Sequence, residues 1–233
     1  MIALTFDMEC LINSKKRKSE EINVPEILKL LDKYKIKSTF FVPGKVAEKF
    51  PELILKISKK GHEIGSHSYN HLKLASLSPK QQKEEIRKGK KVLEDLTSKK
   101  ITGFRAPFLS FTCQTFEILK KEGFAYDSSA HQSFEGKLPV IELFCCLPDD
   151  YHIFESPKAV GTEKDRIEKW IETRKAMFDS LKQGEINIQM FHPWILAKNP
   201  ERLKALDLVI RYIVEKNIEI QTCQAIIEKN FHV

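Results

Sequence analysis

The chain is expected to fold as an α/β protein, a distorted (β/α) barrel of seven or eight strands. Short apolar runs alternate with amphipathic helical runs almost from end to end, the pattern of parallel strands joined by crossover helices. Its 233 residues are enough for that many strand-helix units around one core. Polar residues able to carry chemistry recur at the carboxyl ends of the strand-like runs, where a barrel opens its mouth. With no repeat, linker or low-complexity segment, one domain spanning residues 1–233 is expected.

The elements follow in order. "IALTF" (2–6) reads as the first strand, "VPEILKLLDKYK" (24–35) as a helix and "KSTFFV" (37–42) as the second strand. "PELILKISKKG" gives a helix stopped by Gly61 in a C-cap role, and "HEIGS" (62–66) gives the third strand. Ser78-Pro79 opens a long charged helix that runs to about Leu96. "ITGFR" (101–105) is the fourth strand, "TCQTFEILKKEG" a helix and "FAYDS" (124–128) the fifth strand. Residues 131–161 break the rhythm with prolines and glycines, so a strand plus an irregular loop is expected there. A helix over 163–183, a strand over 186–191, a helix over 200–216, a strand over 218–222 and a terminal helix complete the series.

Composition excludes several classes. The net charge is +7, but its 39 basic and 32 acidic residues are interspersed along helical runs such as "SPKQQKEEIRKGKKVLEDL". That is the pattern of a solvated face, so no nucleic-acid partner is expected. No apolar run approaches the roughly 20 residues of a membrane span. "MIALTFDMEC" has neither the basic leader nor the cleavage site of a signal peptide. Five cysteines, Cys10, Cys113, Cys145, Cys146 and Cys223, are odd in number and form no C-x-x-C pair. A reduced, cytoplasmic protein is the expectation.

In "GHEIGSHSYNHLKLA", His67 and His71 stand four residues apart just after a strand. They read either as two surface histidines or, if on one helical turn with β-carbons about 5–6 Å apart, as half a metal site. The rest of the map decides between these. Asp7 and Glu9 follow the first strand, Arg105 ends the fourth, Asp127 ends the fifth and His192 ends the strand near 190. A barrel brings these ends together, whereas His62 begins its strand and belongs at the opposite end as a structural or surface residue.

"LTFDME", "STFFVPG", "GHEIGSHSYNH", "GFRAPF", "YDSS" and "QMFHPW" occur in the order and rough spacing of the polysaccharide deacetylase homology domain, carbohydrate esterase family four, which this chain resembles. The resemblance implies a distorted (β/α) barrel and a divalent metal, most simply zinc, used to remove acetyl groups from N-acetylated sugars. It implies Asp7 as general base, Glu9, His67 and His71 as metal ligands, Arg105 as the tether of the base and His192 as general acid. It also implies that the backbone N–H of Phe108 shares the oxyanion.

Three departures stand out. Met8 separates the two carboxylates of the first motif, and the second is Glu9; positions i and i+2 of a strand still face one side. "YDSSAH" lacks an Asp-Trp pair, so Asp127 either supports Arg105 or His192 or caps the next element. "HPWIL" lacks a His-Asp ending, and Trp194 either walls the pocket or packs in the core. In "LPDDYH", one of Asp149 and Asp150 lines the substrate pocket or both sit in a solvated turn.

The chemistry is coherent without the family. Amide hydrolysis needs an activated water, stabilisation of a tetrahedral oxyanion and a proton for the amine. Three protein ligands leave metal positions open for the first two, and an imidazole with a reference pKa near 6.5 suits the third. Rival readings are an iron(II) oxygenase built on two histidines and a carboxylate, a cyclic amide or imide hydrolase, and a non-catalytic metal-dependent carbohydrate-binding module. The expected partner is a small-molecule or oligosaccharide substrate.

Overall fold

The computed structural model describes residues 1–9, 18–131 and 138–231; Cys10 and residues 132–137 of the irregular stretch lie outside them. Its strands are β1 (Ile2–Asp7), β2 (Thr39–Val42), β3 (Glu63–Ser66), β4 (Gly103–Phe104), β5 (Tyr126–Asp127), β6 (Ile141–Glu142) and β7 (Asn187–Phe191). They form one sheet in the order β6-β5-β4-β3-β2-β1-β7, every pair parallel. The sheet curls until the chain beyond β6 meets β7 in an isolated parallel bridge, Cys145 with Ile188, and the Cys146 N–H donates to Ile188 O at 2.9 Å. The distorted barrel read from the sequence is the fold.

The eighth stave differs from expectation. Residues 218–222 make a single bridge, Ile220 with Ile2. Pairing of β1 with β2 begins only at Thr5, so the groups of Ile2 on that side are left for Glu219 O and the Gln221 N–H. The segment therefore plugs the foot of the barrel and does not run its height.

The helices are α1 (Lys18–Lys33), α2 (Gly44–Lys49), α3 (Pro51–Lys59), α4 (Pro79–Thr97), α5 (Cys113–Lys121), α6 (Asp150–Phe154), α7 (Glu163–Asp179), α8 (Pro193–Ala197), α9 (Pro200–Glu215) and α10 (Cys223–Phe231). Ser78 and Gln81 close a capping box on α4, and Gly61 takes φ 81° just past the end of α3. The short helices α2, α6 and α8 were not expected from the sequence. None of the described helices is long and apolar enough to cross a membrane.

Strand alternation sorts the side chains into two cores. Ile2, Leu4, Phe6, Phe40, Phe104 and Phe191 face the helical layer in the larger cluster. Ala3, Phe41, Tyr126, Leu143, Ile188 and Cys223 fill the barrel interior. The inward parity of Ala3 carries on through Thr5 and Asp7, and that of Ile188 through Met190 and His192. Apolar packing at the foot thus gives way to polar groups at the mouth.

Candidate active site

Asp7 is the last residue of β1, and Glu9 follows on the same face, with the wholly buried Met8 turned to the outer core. Arg105, directly after β4, is fully buried, and every one of its side-chain nitrogens donates. Its Nη1 donates to Asp7 Oδ1 at 2.7 Å and to Thr5 Oγ1 at 2.8 Å, and its Nε and Nη2 donate to Ser128 O and Oγ at 2.8 and 2.9 Å. The Phe41 ring packs beneath it at 4.2 Å. Burial works against this cation, but the raising influences, led by the Asp7 carboxylate, keep it firmly protonated.

His67 and His71 do not share a helical turn. They lie in a loop after β3 in which Ser68 and His71 take φ of 59° and 58°. Tertiary pins hold the loop: Gly44 and Lys45 donate their N–H groups to Ser68 O and Tyr69 O, and Glu85 accepts from the Asn70 N–H at 2.8 Å and from Asn70 Nδ2 at 2.6 Å. Gly89 makes the close approach of α4 possible, since a β-carbon there would stand 2.4 Å from Ser68 O. The histidines converge all the same, with ring centroids 5.0 Å apart.

Their donor atoms suit a metal. The Arg105 carbonyl accepts from His67 Nδ1 at 2.8 Å, so the hydrogen is on Nδ1 and the Nε2 lone pair points into the site. That Nε2 is buried with no hydrogen-bond partner. Glu9 Oε2 lies 3.8 Å from it and 2.8 Å from His71 Nε2, and one ligand atom from each of the three residues falls within 4.8 Å of the others. A tetrahedral zinc ion with bonds of about 2.0–2.1 Å sets its ligands roughly 3.3 Å apart, between those two distances. Although burial opposes it, contact with His67 and His71 and the charge of His192 hold the Glu9 carboxyl well below the usual range, in the ligating form.

His192 closes the other side, its Nε2 3.8 Å from Glu9 Oε1. The wholly buried Asp150 carboxylate accepts from the His192 N–H at 2.8 Å and from Nδ1 at 2.6 Å. Burial disfavours the imidazolium, yet this carboxylate, joined by the charges of Glu9 and Asp7, lifts the His192 pKa to about 10. Asp149, Asp150 and His192 could also gather around an ion. However, Asp150 is committed to His192, and Asp149 caps α6 and accepts from His152 Nδ1 at 2.5 Å.

A cavity of about 350 Å³ opens over Asp7, Glu9 and His192, with Phe108, Leu109, Met190, Tyr151 and Trp194 among its walls. Phe108 sits at φ 58° in the turn Pro107–Leu109 and rests its ring on His71 at 4.5 Å. Trp194 lines the cavity and donates Nε1–H to Glu9 Oε1 at 3.2 Å.

Two readings that the sequence leaves open are decided. Asp150 stands behind His192 as its partner, while Asp149 lines the cavity. Asp127 touches neither Arg105 nor His192. As the neighbour of the inward-facing Tyr126 it has outward parity, and it accepts from Ser129 Oγ and N–H at 2.8 and 3.0 Å. Ser129 Oγ in turn accepts from the Ala106 N–H at 2.7 Å, so Asp127 braces the turn that carries Phe108. Sequence reasoning missed Ser128 and Thr5, both findable by counting in twos from Tyr126 and Asp7. It also missed Glu85, for which no local pattern gives a signal. His62 is at the barrel's foot, 3% exposed, its Nδ1 accepting from the Ser38 N–H at 3.2 Å.

The chain belongs to the polysaccharide deacetylase family, whose sequence model matches residues 1–126, more than half of its length. A peptidoglycan deacetylase of Helicobacter pylori is 39% identical over 115 residues, 49% of this chain and 39% of that protein. A peptidoglycan-N-acetylglucosamine deacetylase of Bacillus cereus is 32% identical over 124 residues, 53% of this chain and 54% of the relative. The chain thus spans about half or less of these relatives. Among solved structures, a putative polysaccharide deacetylase from Mycobacterium smegmatis superposes with a TM-score of 0.75 at 26% identity, covering 91% of this chain and 82% of that one. The Puue allantoinase shares the fold, with a TM-score of 0.78 at 18% identity over 94% of this chain and 85% of its own.

Proposed function

We propose that the protein is a metal-dependent amide hydrolase that removes the acetyl group from an N-acetylated sugar. The observation that carries this reading is the orphaned Nε2 of His67. It is buried and partnerless, and it is turned toward the same point as His71 Nε2 and Glu9, with a tethered carboxylate and a paired imidazole on either side. The relatives named as peptidoglycan deacetylases support an N-acetylated glycan as the substrate class.

Glu9, His67 and His71 would hold the ion, and zinc suits a set of two imidazoles and one carboxylate; when bound, it supplies Lewis acidity toward a water and the amide carbonyl. Asp7 accepts the water's proton on Oδ2, because Oδ1 is held by Arg105. The Phe108 N–H adds a donor to the oxygen on which charge develops, a contribution typically of about 3–4 kcal/mol. His192 gives the Nε2 proton to the departing amine while Asp150 fixes the ring through Nδ1. Apolar walls from Phe108, Met190 and Trp194 orient the sugar and keep bulk water from the reacting bond.

Metal-loaded protein is expected to release acetate from N-acetylglucosamine oligomers and to leave cyclic amides and imides closed. Ring opening of a cyclic amide without acetate release would replace this reading with the cyclic-amide alternative.

A further inference from the structure

The cavity over the catalytic groups does not end at its wall. His152 lines it and also lines a second pocket, of about 150 Å³, whose other contributors include Pro148, Lys158, Arg166 and Lys169. Asp149 holds the dividing ring through Nδ1 at 2.5 Å, so the two pockets meet at a fixed boundary.

The second pocket gathers three cationic side chains, Lys158, Arg166 and Lys169, around one concavity. Lysines such as Lys33, Lys60, Lys91 and Lys229 have carboxylate partners. Among the described residues, neither Lys158 nor Lys169 has a carboxylate within ion-pair reach. Arg166 shares Glu163, at 3.0 Å, with Arg202, and its Nε is buried with no partner. Across the mouth, Lys73 lies 5.5 Å from the Phe108 ring centre and has no carboxylate in ion-pair reach among the described residues. Three cations gathered in one concavity raise the local concentration of anions and supply charge-assisted donors.

We propose that this pocket is an anion subsite and that the substrate carries a negative group, a carboxylate or a phosphate, on the same molecule as the acetamido group. The proposal rests on the deacetylase reading for the bond cleaved, but not for the anion site itself. The acetamido group sits over Glu9 and His192, the sugar face lies along the apolar wall, and the anionic substituent passes His152 to reach Lys158, Arg166 and Lys169. A carboxylate would come from an acidic sugar in the glycan, and a phosphate from a sugar nucleotide or a phosphorylated glycan.

The test compares acetate release by zinc-loaded protein from three probes: chitotetraose, which is neutral, a tetrasaccharide of N-acetylglucosamine and N-acetylmuramic acid with free carboxylates, and UDP-N-acetylglucosamine. The expected result is a kcat/KM at least about tenfold higher for one anionic probe than for the neutral one, equivalent to about 1.4 kcal/mol. Which probe leads identifies the source of the charge. Lys158→Ala with Lys169→Ala should collapse the preference, and added salt should erode it. Removing two exposed lysines from α5, Lys120→Ala with Lys121→Ala, should leave the preference standing. Equal turnover of neutral and anionic probes, or equal losses in both double variants, would overturn the proposal. Calorimetric binding of the same probes needs no turnover. Anion-selective binding that depends on Lys158 and Lys169, with no acetate released, would sink the deacetylase reading and keep the subsite; binding indifferent to probe charge would sink the subsite alone.

Discussion

Replacing Asp150 by Asn keeps the shape of the side chain and removes its charge. In the native protein the carboxylate accepts two hydrogen bonds from His192 and, with smaller help from Glu9 and Asp7, lifts its pKa from an ordinary 6.5 to about 10 against the effect of burial. Each pKa unit is about 1.4 kcal/mol, so several kcal/mol of attraction sustain the imidazolium. In the variant the largest upward influence is gone and only the Glu9 and Asp7 carboxylates still oppose burial, so the folded pKa drops well below about 10. The sign follows: native His192 keeps its proton across the neutral range and loses it only in alkali, whereas the variant ring gives up its proton at a lower pH. Loss of a general acid typically costs roughly 10²–10⁴ in rate. Asp150→Asn should therefore lose about that factor on an N-acetyl sugar at pH 8 and recover part of it as pH is lowered toward 6. On an aryl acetate, whose phenolate leaves without a proton, the loss should be much smaller. The assay is coupled acetate detection between pH 5.5 and 9, with bound metal and thermal unfolding measured on the same samples. Equal losses on amide and ester, or native amide turnover at pH 8, would refute a proton-donor role for His192.

Three further outcomes are expected. Asp7→Asn should retain metal and lose nearly all turnover, while Glu9→Gln should lose metal affinity; rescue of Asp7→Asn, but not of Glu9→Gln, by excess zinc would reverse the two assignments. Gly89→Ala drives a β-carbon against Ser68 O, so it should weaken metal binding without touching a ligand, and undiminished zinc affinity would show that the histidine loop does not depend on α4. His62, buried and held near pKa 4, contributes stability that is whole above its unfolded pKa of about 6.5 and lost as pH falls toward 4. Between pH 7 and 5 the native protein should lose about 1 kcal/mol more than His62→Gln, after allowance for solvent screening, as read from denaturant titrations; parallel losses would remove His62 from the acid response.

Much of this was legible because it depends on periodicity. The alternation of strands and helices defined the barrel, and the positions of Asp7, Glu9, Arg105 and His192 just past strand ends were enough to bring them to one mouth. What failed to show depends on tertiary contact. The spacing of His67 and His71 suggested a helical turn, but two left-handed residues and the carboxylate of Glu85, far along the chain, shape a loop that reaches the same convergence. The strand-end place of Asp127 leaves two roles open, and its parity, which points it away from the barrel interior, decides against Arg105 and His192. Asp150 lies on a five-residue helix too short to leave a periodic signal, and only the fold brings it to His192, 42 residues away. The segment 218–222 has the composition of a stave, but the register of β1 leaves it room for one bridge.

Metal and activity can be titrated together. Protein stripped by a chelator is reloaded with substoichiometric zinc, and acetate release from an N-acetylglucosamine oligomer is followed alongside bound zinc. Turnover should start near zero and rise in proportion to occupancy until it levels at one ion per chain, with His67→Ala showing neither binding nor release. Full acetate release from the stripped protein, or release that does not track occupancy, would contradict a metal site built from Glu9, His67 and His71.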